Sequence, residues 1–200
     1  DFQRLQNYFD VIVVDAPCSG SGLFRKDISA IDEWSLNNVQ LCSQRQQRIL
    51  ADVFPSLKEN GIIIYSTCSY STEEDEEICD WIIKEFKVES VQLKIEESWN
   101  ITVTQSEIYK ASGYRFYPDK VKGEGFFIAV FINRQHANSN MQSDNRKTEK
   151  ITKNEIAIAI VSDMSGDYVE HFAVKLFEKW QMGEKSQDNG LLILVSLEDR

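Results

Sequence analysis

Two short apolar runs, each closed by a loop that carries a cysteine, constrain this chain most. Asp10-Val11-Ile12-Val13-Val14-Asp15 leads into Ala16-Pro17-Cys18-Ser19-Gly20-Ser21-Gly22, and Gly61-Ile62-Ile63-Ile64-Tyr65 leads into Ser66-Thr67-Cys68-Ser69-Tyr70. Runs this short and this continuously apolar read as strands buried on both faces of a parallel sheet. Ligands of such sheets bind beyond the carboxyl ends of the strands, so both thiols are expected at one crevice. Neighbouring strands lie ~4.8 Å apart, which puts the two sulfurs within roughly 10 Å. An isolated free cysteine is most often a small buried hydrophobe. Here each loop adds what a reactive thiol needs: Asp15 as a charged acceptor, small glycines that admit a flat ring, and a helix start after Cys68.

The remaining pattern supports an α/β chain. Trp34, Val39, Leu41, Ile49, Leu50, Val53, Phe54 and Leu57 recur with helical spacing over residues 32–58, in two pieces, and Asn60-Gly61 is expected to stop the helix. Ser71 or Thr72 is expected to cap a second helix, whose acidic first turn Glu73-Glu74-Asp75-Glu76-Glu77 suits the macrodipole and whose apolar stripe is Ile78, Trp81, Ile82 and Phe86. Residues 88–95 alternate like a strand, and 126–133 form a third strong one after a polar stretch. Strand and helix in alternation predict parallel pairing. Residues 135–153 hold almost nothing apolar and read as a linker. A strand at 156–161, a helix at 168–180 and a strand at 191–197 then make one β-α-β unit, too small to bury a full core alone.

Composition closes off other classes. The chain is 42% hydrophobic and 11% aromatic, enough for a packed core and too much for a disordered chain. Its apolar runs fall far short of the ~20 residues that cross a bilayer. Net charge is −10, acidic on both sides of residue 134, so any grip on nucleic acid has to be local rather than a bulk electrostatic one. Cys18, Cys42, Cys68 and Cys79 form no CxxC pair, and His136 and His171 are remote from them, so no metal site is expected. No signal peptide is visible, which predicts free thiols in a reducing cytoplasm. Asp1 stands where an initiator Met is absent, and the sequence is expected to begin inside a larger protein.

Asp15-Ala16-Pro17-Cys18-Ser19-Gly20 and Ser66-Thr67-Cys68-Ser69, separated by 50 residues, resemble the two signature cysteine motifs of the NOL1/NOP2/Sun family of RNA cytosine-5 methyltransferases. The resemblance runs over about residues 1–134 and includes Glu33-Trp34, Gln44-Arg45-Gln46, the Glu-rich run after Cys68, Arg115-Phe116-Tyr117-Pro118 and Gly123-Glu124-Gly125-Phe126-Phe127. It implies the second half of a doubly wound class I methyltransferase sheet that uses S-adenosylmethionine on rRNA or tRNA, not DNA. By that resemblance Cys68 is the nucleophile toward C6 of a flipped-out cytosine, and Cys18 assists breakdown of the adduct. Asp15 helps to hold cofactor and base, and Pro17, Ser19 and Gly20 shape the substrate site. A class I fold also needs a Gly-rich loop after its first strand and an acidic residue for the ribose. Nothing before Asp10 supplies these, so most of the cofactor site is expected elsewhere. The alternative is an inactive fragment or fusion that acts only as an RNA or protein interaction module.

Residues 153–200 resemble the start of the TPM domain family, small α/β modules of mostly extracytoplasmic proteins. That resemblance rests on Glu155-Ile156-Ala157-Ile158-Ala159-Ile160-Val161, Phe177-Glu178-Lys179-Trp180 and Asp188-Asn189-Gly190-Leu191-Leu192. Asp188-Asn189-Gly190 reads as turn chemistry, and no catalytic residue is assigned there. Three parts are therefore expected: a partial methyltransferase domain at 1–134, a linker at 135–153, and a partial TPM-like β-α-β unit at 154–200, joined as a fusion of two fragments.

Overall fold

The computed structural model describes residues 4–134 and, by their backbone, two strands over 155–161 and 190–196. The two apolar runs become β1 (Phe9–Asp15) and β2 (Leu57–Thr67), paired in parallel with Val14 opposite Tyr65 and Asp15 opposite Ser66. β2 is buried from Gly61 to Thr67 because it lies inside the sheet, with β1 on one side and β6 (Phe126–Ile132) on the other. A strand covered on both faces has no reason to alternate polar and apolar side chains.

The sheet is mixed where the sequence pattern predicts parallel pairing. β6 runs antiparallel to β2, and β5 (Ser112–Phe116) and β4 (Thr102–Gln105) follow antiparallel, in the order β1-β2-β6-β5-β4. The β4–β5 hairpin falls in what reads as a polar stretch. Every residue of Ser112-Gly113-Tyr114-Arg115-Phe116 is nonetheless buried, because partners elsewhere satisfy the polar ones. The expected strand at 88–95 shrinks to β3 (Glu89–Ser90). β5 takes residues 126–129 of the β6 edge, so β3 is confined to Ile132 and Phe131, with Val91 N donating to the Val130 carbonyl just beyond.

The first helical region does come in two pieces, α1 (Ser29–Glu33) and α2 (Leu36–Val53), the latter capped by Ser35, whose hydroxyl accepts from Asn38 N. Asn60-Gly61 does not end it. The helix stops at Val53, and a 3-10 turn over Phe54–Ser56, with Pro55 in it, leads into the strand. A proline ring cannot continue the i to i−4 ladder. Asn60, at φ 60°, and Gly61 instead make an irregularity inside β2, where the register jumps from Phe9 opposite Leu57 to Val11 opposite Ile62. Neither Ser71 nor Thr72 caps the next helix by its side chain. A 3-10 turn over Thr72–Glu74 intervenes, and α3 (Glu76–Phe86) follows.

α2 and α3 cover one face of the sheet. Leu50 and Val53 of α2 and Ile78, Cys79 and Ile82 of α3 pack with Val14, Ile63, Tyr65, Phe127, Ala129 and Phe131. Leu41, assigned to the apolar stripe from sequence, is 52% exposed, while Gln46, on the same face as buried Val39 and Leu50, is fully buried. Residues 138–200 form a separate unit, in which β7 (Glu155–Val161) and β8 (Gly190–Ser196) pair in parallel from Glu155 opposite Gly190 to Val161 opposite Ser196. The expected linker and the helix at 168–180 lie outside the described residues.

One buried ionic junction fastens α3 to the hairpin. Arg115 of β5 donates through Nε and Nη2 to Glu76 and meets Asp75 at 3.0 Å through Nη1. Thr67 donates to Asp75 at 2.6 Å and Thr104 to Glu76 at 2.6 Å. Burial pushes the Asp75 carboxyl well up, against Arg115 and Thr67. Burial also pushes Glu76 up, but the hydrogen bonds from Arg115 and Thr104 prevail and hold it below its usual range. Glu76 therefore contributes stability that is present above the ordinary Glu pKa and is lost as pH falls through its lowered value. Removing the cation leaves two carboxylates buried without their partner. Arg115→Met is expected to cost about 3–5 kcal/mol, read as a shift of the urea midpoint at pH 7; an unchanged midpoint would show that the junction holds nothing.

Candidate active site

The two cysteine loops leave the carboxyl ends of β1 and β2 side by side, and the Sγ atoms of Cys18 and Cys68 stand 2.8 Å apart as thiols, without a disulfide between them. Both are half-buried, whereas Cys79 sits in the core and matches the ordinary fate of a free cysteine. Contact with the Cys68 thiol, followed by burial, raises the Cys18 thiol far above an ordinary cysteine.

Glu74, fully buried, decides that geometry. Its carboxylate accepts from Ser19 N at 2.8 Å, Ser19 Oγ at 2.5 Å, Ser69 Oγ at 2.6 Å and Gln46 Nε2 at 3.3 Å. One carboxylate thereby ties the Cys18 loop, the Cys68 loop and α2 together. Gln46 also donates to the Pro17 carbonyl at 3.0 Å, and Tyr65 Oη to the Glu74 carbonyl at 2.6 Å. On its other side the Cys68 loop is held by the first loop: Gly22 N donates to the Cys68 carbonyl and Tyr70 N to Ser21 Oγ. A Cβ at Gly22 would run into the carbonyl oxygens of Cys68 and Gly125, so this close approach requires glycine.

The structure places the other expected residues as follows. Asp15 is exposed at the end of β1 and accepts from Ser66 Oγ at 2.9 Å. Pro17 is half-buried behind Cys18. Gly20 turns the loop at φ 78°, a conformation that side chains disfavour. Both donors of Ser19 are directed to Glu74, so Ser19 shapes the site by holding its loop. Glu74 and Gln46 lie in segments that carry the resemblance, the Glu-rich run after Cys68 and Gln44-Arg45-Gln46, but neither is assigned a role from sequence. Spacing alone shows a polar residue in the helical stripe of α2 and one acid among five in a row, which does not single either out.

A mixed α/β sheet with two loop thiols in contact at its strand ends defines a methyltransferase-like domain with a two-cysteine site. Residues 2–132 match the family model described as 16S rRNA methyltransferase RsmB/F, and the chain belongs to that family. A TPM domain model matches residues 129–200. The ribosomal RNA small subunit methyltransferase F of Psychromonas ingrahamii is 36% identical over 127 residues, 63% of this chain and 26% of that protein. The tRNA (cytosine(49)-C(5))-methyltransferase of Pyrococcus abyssi is 33% identical over 135 residues, 64% of this chain and 43% of that protein. Among solved structures, a methyltransferase homologue from Pyrococcus horikoshii shares 32% identity at a TM-score of 0.51, covering 65% of this chain and 40% of that one. NSun6 from the same organism, solved with SFG, shares 27% at 0.50 over 62% and 30%. The chain thus spans about a quarter of the length of its rRNA methyltransferase relatives.

Two outcomes follow from this geometry. Glu74→Gln puts an amide donor where the carboxylate receives four donors, and one unpaired buried donor costs about 1–3 kcal/mol; urea unfolding reads the loss, and no loss would mean that the loops hold without Glu74. Removing the group that raises Cys18 lowers it again. Iodoacetamide labelling of Cys18 at pH 8.5 should therefore be at least about tenfold slower than for an ordinary cysteine and should speed up in Cys68→Ala. Equal rates in the two proteins would show that the sulfur contact does not govern Cys18.

Proposed function

We propose that this chain carries the catalytic thiols of an S-adenosylmethionine-dependent RNA cytosine-5 methyltransferase acting on rRNA or tRNA in the cytoplasm. The observation that carries the reading is the Cys18–Cys68 contact at the ends of two neighbouring strands. Cys68 releases its proton to solvent, its thiolate Sγ adds to C6 of the cytosine, the displaced electron pair moves toward N3, and C5 becomes nucleophilic. Asp15, exposed at the same strand end, acts here as the protonated acid: its carboxyl O–H donates to N3 and stabilises the negative charge that develops there. S-adenosylmethionine, when bound, supplies the methyl group that C5 takes. Once Cys68 is bonded to C6 its thiol no longer raises Cys18; the Cys18 thiolate, beside Cys68, takes the C5 proton, the C5–H pair re-forms the C5–C6 double bond, and the C6–S pair leaves with the Cys68 sulfur. Pro17, Ser19 and Gly20 shape the loop that receives the base, which has to be flipped out to expose its ring face.

The residues present fit one side of a cofactor site: the exposed carboxyl group of Asp15 and the Ala16-Pro17 turn beyond it. Among the described residues no Gly-rich strand-to-helix turn with a following ribose-directed acid completes it. A methyltransferase part at 1–134, a connection at 135–153 and a TPM-like unit at 154–200 are the domain division that goes with this reading. If the chain binds no S-adenosylmethionine in equilibrium dialysis, the interaction-module reading gains.

The order of steps makes the two thiols fail differently. Cys68→Ala is expected to abolish methyl transfer to unmodified RNA, because C5 never becomes reactive. Cys18→Ala is expected to accumulate a denaturant-stable protein–RNA adduct, seen as a shifted band in a denaturing gel. An adduct in Cys68→Ala instead would reverse the roles, and full turnover by both variants would remove both thiols from the chemistry.

A further inference from the structure

Beside Cys68 stands an aromatic column that the thiol chemistry does not use. The Tyr70 and Tyr117 rings stack with centroids 5.7 Å apart at 30°, and Lys120 Nζ lies 5.7 Å from the Tyr117 centroid. Gly125 makes the column possible, since a Cβ there would occupy the Tyr70 ring itself. Both rings are half-buried, so part of each is open to solvent. The column adjoins the site: Tyr70 follows Cys68 in the same loop, and its N–H donates to Ser21 Oγ of the first cysteine loop at 2.8 Å.

The charge around the column differs in sign from the rest of the chain. Arg25, Lys26, Lys120 and Lys122 are exposed in the two loops that meet here, against Asp119 and Glu124. Arg25 is held in place by its hydrogen bond to the Gly123 carbonyl at 2.5 Å, and Lys26 by Glu124 at 2.8 Å. Asp27 directs its carboxylate to Ser29 N and Oγ. A chain of net charge −10 thus presents a cationic rim with stacked rings inside it, next to its thiols. Aromatic faces that take bases, framed by cations that take phosphates, are the elements of single-strand recognition.

We propose that the Tyr70–Tyr117 column, with Arg25 and Lys120, seats an unpaired nucleotide flanking the one presented to Cys68. This rests on the RNA reading above. The base stacks on the exposed part of the Tyr117 ring, and the cations contact its phosphates. The platform is indifferent to base identity, because every base offers a π face; it selects unstacked, single-stranded RNA next to the target.

The test is fluorescence anisotropy of the whole chain with a labelled unstructured pyrimidine RNA of about ten nucleotides, a length within single-strand site sizes, and with polyphosphate as a polyanion without bases. Tyr117→Ala should weaken RNA binding about tenfold and leave polyphosphate binding unchanged, and Tyr117→Phe should restore RNA binding. Lys120→Gln should flatten the salt dependence of RNA binding by about one phosphate contact. Wild-type binding that Tyr117→Ala does not change overturns the platform while the RNA reading stands. Equal losses on RNA and polyphosphate overturn it as a folding defect. No RNA binding by the wild type overturns both readings. Tighter binding of a polyglutamate peptide than of RNA overturns it in favour of an acidic protein partner.

Discussion

The Glu74 carboxylate is the group on which the site geometry depends. A buried carboxylate without partners is among the most costly arrangements a protein can contain, and this one is satisfied only when the two cysteine loops and α2 reach it together. The requirement works in both directions. Moving either loop outward strands the charge, so the charge fixes the loops, and the loops fix the sulfurs at 2.8 Å. A site assembled from loops is ordinarily less rigid than its scaffold. Here a single acid transfers the rigidity of the helix layer to both of them.

Its two neighbours extend the same logic. Glu74, Asp75 and Glu76 are consecutive, yet each serves a different part of the domain: the cysteine loops, the end of β2 through Thr67, and the β4–β5 hairpin through Arg115 and Thr104. The turn between β2 and α3 therefore joins sheet, helix and site. Arg115 is buried against two carboxylates, and such groups are worth more as determinants of one arrangement than as a source of net stability.

The loops beyond the carboxyl ends of β1 and β2 bring together the paired thiols and Asp15, and Tyr70 of the second loop stacks on Tyr117 beside them. The acidity of the chain as a whole is no obstacle to this, since screening confines exposed charges to roughly a Debye length, ~10 Å in ordinary salt. A local rim of opposite sign is what a small contact area requires. The rest of the surface can remain anionic.

Much of this is legible in the amino-acid sequence by itself. Two continuous apolar runs ending in cysteine loops determine β1, β2 and the meeting of the thiols at one crevice, because a buried parallel strand leaves a distinct sequence pattern and delivers its following loop to a known place. What the sequence does not show is every feature that depends on a partner far along the chain. Arg115 falls in a polar stretch that shows no strand pattern until Asp75 and Glu76 are beside it, so β5 is hidden. Residues 88–95 read as a strand until β5 occupies the edge they would need. Glu74 is one acid among five, and Gln46 a polar residue in an apolar stripe, until four donors converge on a single carboxylate. Local spacing determines which segments are strand or helix; only the tertiary structure decides which buried polar groups are satisfied, since hydrogen-bond partners 28 to 55 residues apart are set by packing and not by pattern.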